Sequence, residues 1–415
     1  MIIAFLVSVV TLILSLAFLT NIKGKFKYSF INPIAFVSIF VIFYMIIGFN
    51  LFWQGDYYFL GTDLSYGLDR LYRVASVFLG FFLGFFLIFF YSIKQYRISD
   101  SNYDYQLRPL LVYFFIFLML LYSLLIINKI KIPLAHNFLG LFFNAGIVVV
   151  SYAVINRMRC SLLLLIVYTF LIVYMGFRYR LLFLFLPIII SIFILKKISF
   201  SKLLIYPAIT LVAVLIIAIV GVSRRYSDGL DLTRLEGMSF LDIIIQGIFN
   251  DTSTVLTSGA LIQWLDDTDN FAYFRQIWYM LNYFIPNELY PSKEYSPIFD
   301  NISILTGQIT NESGAAVLGF VEYYHTAGYY GVILFAFIFG FIFSKFFKRM
   351  INSSSIYDHY IYFVLLTWFL NSLTRGYLPQ NLQDLVSIII GLYLIKKFSK
   401  LSKVGGYLER TNKRI

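Results

Sequence analysis

Eleven apolar stretches, each near the roughly 20 residues that a helix needs to cross a bilayer core, divide this chain. They fall at about 2–20, 31–53, 74–93, 109–128, 138–155, 160–177, 181–195, 203–222, 328–344, 356–372 and 383–395. A soluble fold could not hide them. The 415 residues are 60% hydrophobic and 13% charged, whereas a soluble domain runs near half apolar and a quarter charged. The runs Phe183–Ile190 and Leu211–Val220 do not alternate polar and apolar residues, so a transmembrane β-barrel is excluded. A disulfide framework is excluded too, because Cys160 is the sole cysteine. The expected fold class is an all-α integral membrane protein of about eleven spans.

Basic residues orient it. Alternate loops, counted from the first span, hold Lys23, Lys25 and Lys27, then Lys94, Arg97 and Arg108, Arg157 and Arg159, Lys196, Lys197 and Lys202, and Lys345, Lys348 and Arg349. With the basic tail from Lys396 to Arg414 they make 21 of the 33 lysines and arginines. The positive-inside rule puts that side in the cytoplasm. The amino terminus is therefore expected outside and the carboxyl terminus inside. The first span lacks a basic n-region, and its lysines follow the apolar run, so it reads as a retained helix and not a signal peptide. The net charge of +12 lies in short loops and the tail. There it anchors topology against anionic lipid, and nucleic acid is not an expected partner.

One loop is long. It runs from about Val222 to Ala327 and keeps apolar content at Ile243–Ile248, Tyr273–Leu281 and Ala315–Tyr324. A disordered linker would lack such segments. Short interfacial helices are expected, and structured long loops usually carry function. The expected organisation is an eight-helix bundle at 1–222, the extracytoplasmic loop at 223–327, three more membrane helices at 328–395 and a cytoplasmic tail at 396–415.

Charges at the outer boundary are the candidate chemistry. Arg178 and Arg180 lie between two spans, Arg224 and Arg225 follow the eighth, and Arg375 sits in the last outer loop. A guanidinium at the hydrocarbon edge costs on the order of a few kcal/mol. It binds phosphate oxygens bidentately and stays charged. Five of them on the side that the positive-inside rule disfavours suggest a site for an anionic, lipid-linked ligand. Interfacial snorkelling or pairing with loop acids is the plainer explanation. Glu322 and His325 share one helix face at i, i+3 spacing. A partly desolvated carboxylate or a neutral imidazole there could accept a hydroxyl proton. A polar helix face turned to water fits the same spacing.

Other patterns carry less. Asp267-Thr268-Asp269 matches a three-residue metal motif but reads as a solvated turn beside Asp266. Gly80 and Gly84 form a GxxxG element that favours close helix packing. His136 and His359 have no partner pattern. The chain has no P-loop, no HExxH and no zinc spacing, so neither a metal nor a cofactor is expected.

Several segments resemble the Wzy-type O-antigen and capsular repeat-unit polymerases. Phe271-Ala272-Tyr273 through Ile285-Pro286 to Tyr290-Pro291-Ser292-Lys293 is similar to a loop segment of that family. Glu322 through Gly331 resembles its Glu-x-Tyr-x-x-x-Gly-x-x-Gly segment before a span. Leu373-Thr374-Arg375-Gly376 looks like its late Ser-Arg-Gly element, and Gly176-Phe177-Arg178 like its mid-chain Gly-x-Arg. His325 stands where an Asn is more usual. The resemblance implies a GT-C-like, metal-independent glycosyltransferase of the bacterial cytoplasmic membrane. Donor and acceptor would be glycans on undecaprenyl pyrophosphate, and a chain-length regulator is a candidate partner. The arginines would then stabilise the departing pyrophosphate. Glu322, with His325 second, would serve as the base. Loop aromatics such as Trp264, Trp278, Tyr279 and Tyr283 could stack on sugars or belong to the interfacial belt. An O-antigen ligase, a polysaccharide flippase or transporter, and a non-catalytic scaffold are the rival readings.

Overall fold

The computed structural model describes residues 31–38, 58–59, 62–63, 68–95, 103–127, 133–158, 161–174, 178–195, short stretches of 215–243, 254–285, 289–290, 296–306 and 317–403. The expected first span, most of the second and eighth, Cys160, Gly176-Phe177, the Pro286–Glu288 and Pro291–Lys293 turns and the tail beyond Lys403 lie outside them.

Among the described residues these helices follow in order: α1 (Leu68–Gln95), α2 (Pro109–Ile127), α3 (Pro133–Ile155), α4 (Ser161–Tyr174), α5 (Arg178–Leu195), α6 (Thr254–Thr268), α7 (Phe274–Asn282), α8 (Pro297–Thr306), α9 (Gly319–Asn352), α10 (Ile356–Thr374) and α11 (Leu378–Lys397). The strands are short: β1 (Tyr58–Phe59), β2 (Thr62–Asp63), β3 (Tyr103–Leu107), β4 (Arg224–Arg225), β5 (Gly229–Leu230) and β6 (Ser399–Lys403). They pair antiparallel as β1–β2, β3–β6 and β4–β5. The protein is thus mainly helical. Among the described residues, Asp69–Ile93, Gly319–Asn352 and Leu378–Lys397 are long and apolar enough to cross a bilayer. Pro109–Leu125, Leu139–Ile155, Ser161–Tyr174 and Tyr179–Ile192 are shorter apolar helices. This is compatible with a helical membrane protein.

The chain forms two compact units. The first comprises residues 1–96, 249–347 and 369–381, and the second comprises 97–248, 348–368 and 382–415.

In the first unit, α1 begins at Leu68, earlier than its apolar run predicts, because its first turns are polar and partnered. Arg73 pairs with Asp69 at 3.2 Å and with Asp266 at the end of α6, and Arg70 donates to Gln263 of α6. A face of phenylalanines follows. Phe81, Phe85 and Phe89 are buried and meet Phe339, Phe343, Phe347 and Phe369 at centroid distances of 5.3–6.4 Å. Rings at i, i+4 spacing line one helix side, and such pairs prefer tilted or offset geometry. Gly80 and Gly84 face Tyr329, Val332 and Ala336 of α9. The GxxxG element is therefore a packing surface, as small residues at helix interfaces usually are.

In the second unit, α3, α4 and α5 pack successively, with α2 against α3. Tyr152 and Tyr360 are fully buried and their ring centroids lie 5.0 Å apart. The residues of α10 in this unit are buried nearly all round, as expected of a helix apolar on every side. Asp358, 3% exposed, accepts from Ser353 Oγ at 2.7 Å and pairs with Arg349 at 2.8 Å. Those bonds offset its burial.

Candidate functional site

The first unit gathers three segments, far apart in sequence, on Glu322. The helix α9 bends in its third turn. Gly328 takes φ +59°, and Ala327 before it is non-helical at ψ 38°. An L side chain resists that φ, so the bend belongs to Gly328. Ahead of it, Gly319–Thr326 forms a short, almost wholly buried helix. Glu322 and His325 both show 0% exposure. The water-facing polar face allowed by their spacing is thereby corrected. Burial on every side wins because three neighbouring segments cover this turn.

The last outer connection supplies the first of them. Gly376 N–H donates to Val317 O at 2.6 Å. A Cβ on Gly319 would stand 1.9 Å from Ser372 O, and one on Gly376 2.8 Å from Leu318 O. Backbones this close tolerate only glycine. The approach brings Leu378 N–H to Glu322 Oε2 at 2.6 Å. Arg375 lies three residues before Leu378 and is partly buried, and its backbone O accepts from Asn381 Nδ2 at 3.0 Å.

The second is the loop segment 271–283. Gln276, 0% exposed, donates through Nε2 to Glu322 Oε1 at 2.7 Å. Ala272 N–H donates to His325 O at 2.9 Å. Tyr279 and Tyr377 exchange a hydroxyl contact at 3.2 Å, and Tyr283 stands edge-on to Tyr377. Burial raises both phenols, Tyr279 and Tyr377, above the ordinary range, so they remain protonated hydrogen-bond groups. The opposite face of α7 is apolar. Phe274, Ile277, Trp278 and Leu281, at i, i+3, i+4 and i+7, are all exposed. Tyr279 and Tyr283 thus pack against Tyr377, and Trp278 lies on the exposed apolar face.

The third is α8. Asn301 Nδ2 lies 3.1 Å from Asn270 O and 2.8 Å from His325 Nε2. Nearby, Tyr324 donates to Asp266, which also pairs with Arg73. Asp267, Thr268 and Asp269 close α6 exposed, with Asp269 at φ 54°. Among the described residues no cluster of histidine, cysteine or acidic side chains could hold a metal.

Arg375 belongs to the first unit, and the other four arginines to the second. Arg178 opens α5, and Arg224 and Arg225 form β4. The side chains of these three lie outside the described residues. Arg180 lines a small, partly open cavity with Asn144, Phe183, Asp384 and Ser387. It lies 5.7 Å from the Phe143 ring centroid and interacts electrostatically with Asp384. Sequence reading singled out neither Asp384, nor Gln276 and Asn301 as partners. Asp384 had a usable signal, an acid inside the apolar α11, whereas Gln276 and Asn301 had none. Replacing Asp384 with alanine should destabilise the protein by less than the roughly 3–5 kcal/mol lost when a fully buried pair is broken, because the cavity is partly open. Asp384→Asn should recover part of that loss, as read by thermal unfolding in detergent.

No family model, curated protein or solved structure matches the chain.

Proposed function

We propose that this protein is a metal-independent, GT-C-like glycosyltransferase with eleven spans, and that it polymerises undecaprenyl-pyrophosphate-linked repeat units at the outer face of the bacterial cytoplasmic membrane. One observation carries the reading. Three of the segments that resemble the polymerase family, 271–283, 322–331 and 373–376, meet around Glu322. The apolar stripe of α7 suits a bilayer interface, where lipid-linked substrates lie.

In this reading the acceptor sugar hydroxyl attacks the anomeric carbon of the donor. The bond from that carbon to the pyrophosphate oxygen breaks, and the proton passes to Glu322. Each oxygen of that carboxylate already accepts one hydrogen bond and keeps a further lone pair. The pyrophosphate leaves with its charge held by Arg375. Arg375→Ala should leave the protein inserted and reduce surface glycan to single repeat units. Arg375→Lys should restore the ladder only in part, since a lysine lacks the bidentate fork. Normal ladders from Arg375→Ala in a deletion strain would overturn the assignment.

A transporter is the second reading. The observation that favours it is the Arg180–Asp384 interaction in a cavity between apolar helices, since paired charges inside a membrane often mark a transport path. Single repeat units accumulating outside the membrane in a deletion strain would favour the polymerase, and accumulation inside would favour the transporter.

A further inference from the structure

Asn301 determines which nitrogen of His325 carries the proton. The carbonyl of Asn270 can only accept a hydrogen bond. The Asn301 atom 3.1 Å from it is therefore the amide nitrogen, which removes the usual ambiguity of amide orientation. The same nitrogen lies 2.8 Å from His325 Nε2. One NH2 group donates to both, so Nε2 must be an unprotonated acceptor and the ring proton sits on Nδ1. That Nδ1 is buried and meets no acceptor. His359 shows the satisfied alternative, with Nδ1 2.8 Å from Ser355 O one helical turn back. A buried N–H without an acceptor is rare in folded proteins. Gln276, whose Nε2 holds Glu322, likewise leaves its Oε1 buried without a partner.

We propose that Asn301 is a positioning residue that fixes His325 as the Nδ1–H tautomer, and that His325 serves as a hydrogen-bond donor to an oxygen of the substrate and not as its base. The tautomer assignment stands on geometry alone, while the substrate oxygen rests on the polymerase reading above. Nε2 cannot take a proton without turning two donors against each other, which leaves Glu322 as the proton acceptor of this cluster. The oxygen belongs to a sugar hydroxyl or to the pyrophosphate, since both present lone pairs.

The test has two arms. In the full-length protein with 15N-labelled histidine, the His325 signals are assigned by their loss in His325→Asn. Its unprotonated nitrogen should couple to both ring carbon-bound hydrogens, which marks Nε2. In Asn301→Asp that nitrogen should become protonated, because a carboxylate can only accept. An unprotonated Nδ1 in the unsubstituted protein would overturn the proposal. The second arm compares glycan ladders. His325→Asn keeps an N–H near the Nδ1 position and should retain polymer within about threefold, whereas His325→Gln keeps only the Nε2 position and should lose about tenfold or more. The reverse order would overturn the donor role. Adding inorganic pyrophosphate to the labelled protein separates the two oxygen sources. A shift of the Nδ1–H signal points to the pyrophosphate, and a shift only with the isolated repeat-unit glycan points to a hydroxyl. No shift with either overturns the donor role. Unchanged ladders in Arg375→Ala would defeat the polymerase reading and leave the tautomer result intact.

Discussion

Replacing Gly319 with alanine should abolish the folded first unit. The added Cβ would sit 1.9 Å from Ser372 O, 2.9 Å from its carbonyl carbon and 3.0 Å from Leu373 Cα. All three are backbone atoms, so no side chain can swing aside. Overpacking a core commonly costs about 1–3 kcal/mol when side chains give way, and a backbone obstacle puts this substitution at or above that range. The contacts at risk include the bridge from Gly376 to Val317 and the bond from Leu378 N–H to Glu322. The expected result is little folded protein in detergent. Gly140→Ala is the control, because its Cβ would meet only the Tyr122 hydroxyl at 3.5 Å. It should insert and unfold like the parent.

Glu322→Ala carries the second largest effect. It strands the amide of Gln276 and the backbone N–H of Leu378, both buried. Each lost acceptor costs about 1–3 kcal/mol, so the unit should lose roughly 2–6 kcal/mol and, on the proposed function, all polymerising activity. Glu322→Gln separates lock from base. Its single carbonyl oxygen satisfies one donor, and its NH2 then faces the other. Stability should fall by about half as much, while on the proposed function polymer should still be absent, because an amide takes no proton at working pH. A full glycan ladder from Glu322→Gln would move the base elsewhere. Wild-type stability would show that the two hydrogen bonds do not hold these segments together.

Parts of this site were legible from the residues. The i, i+3 spacing of Glu322 and His325 forecast one helix face, and both side chains do lie on the same short helix. The apolar runs forecast helices, and those described begin or end up to about nine residues from the expected limits, because polar end turns such as Asp69–Arg73 find partners on other elements. Gln276 and Asn301 could not be found this way. Gln276 is one of several polar residues in a loop, and only its place on the inner face of α7 selects it. Asn301 sits in a common Asn-X-Ser pattern that by itself names no partner, and it is 7% exposed.

The order of residues by itself determined that the chain is helical and too apolar for water, because helix length and hydrophobic content are properties of contiguous residues. Tertiary structure alone decided which donors hold Glu322, which nitrogen of His325 is protonated and which acid stands by Arg180. Those pairs are separated by 24–204 positions in the chain, and hydrogen bonds and Coulomb forces act over a few ångströms of space, whatever the distance along the backbone.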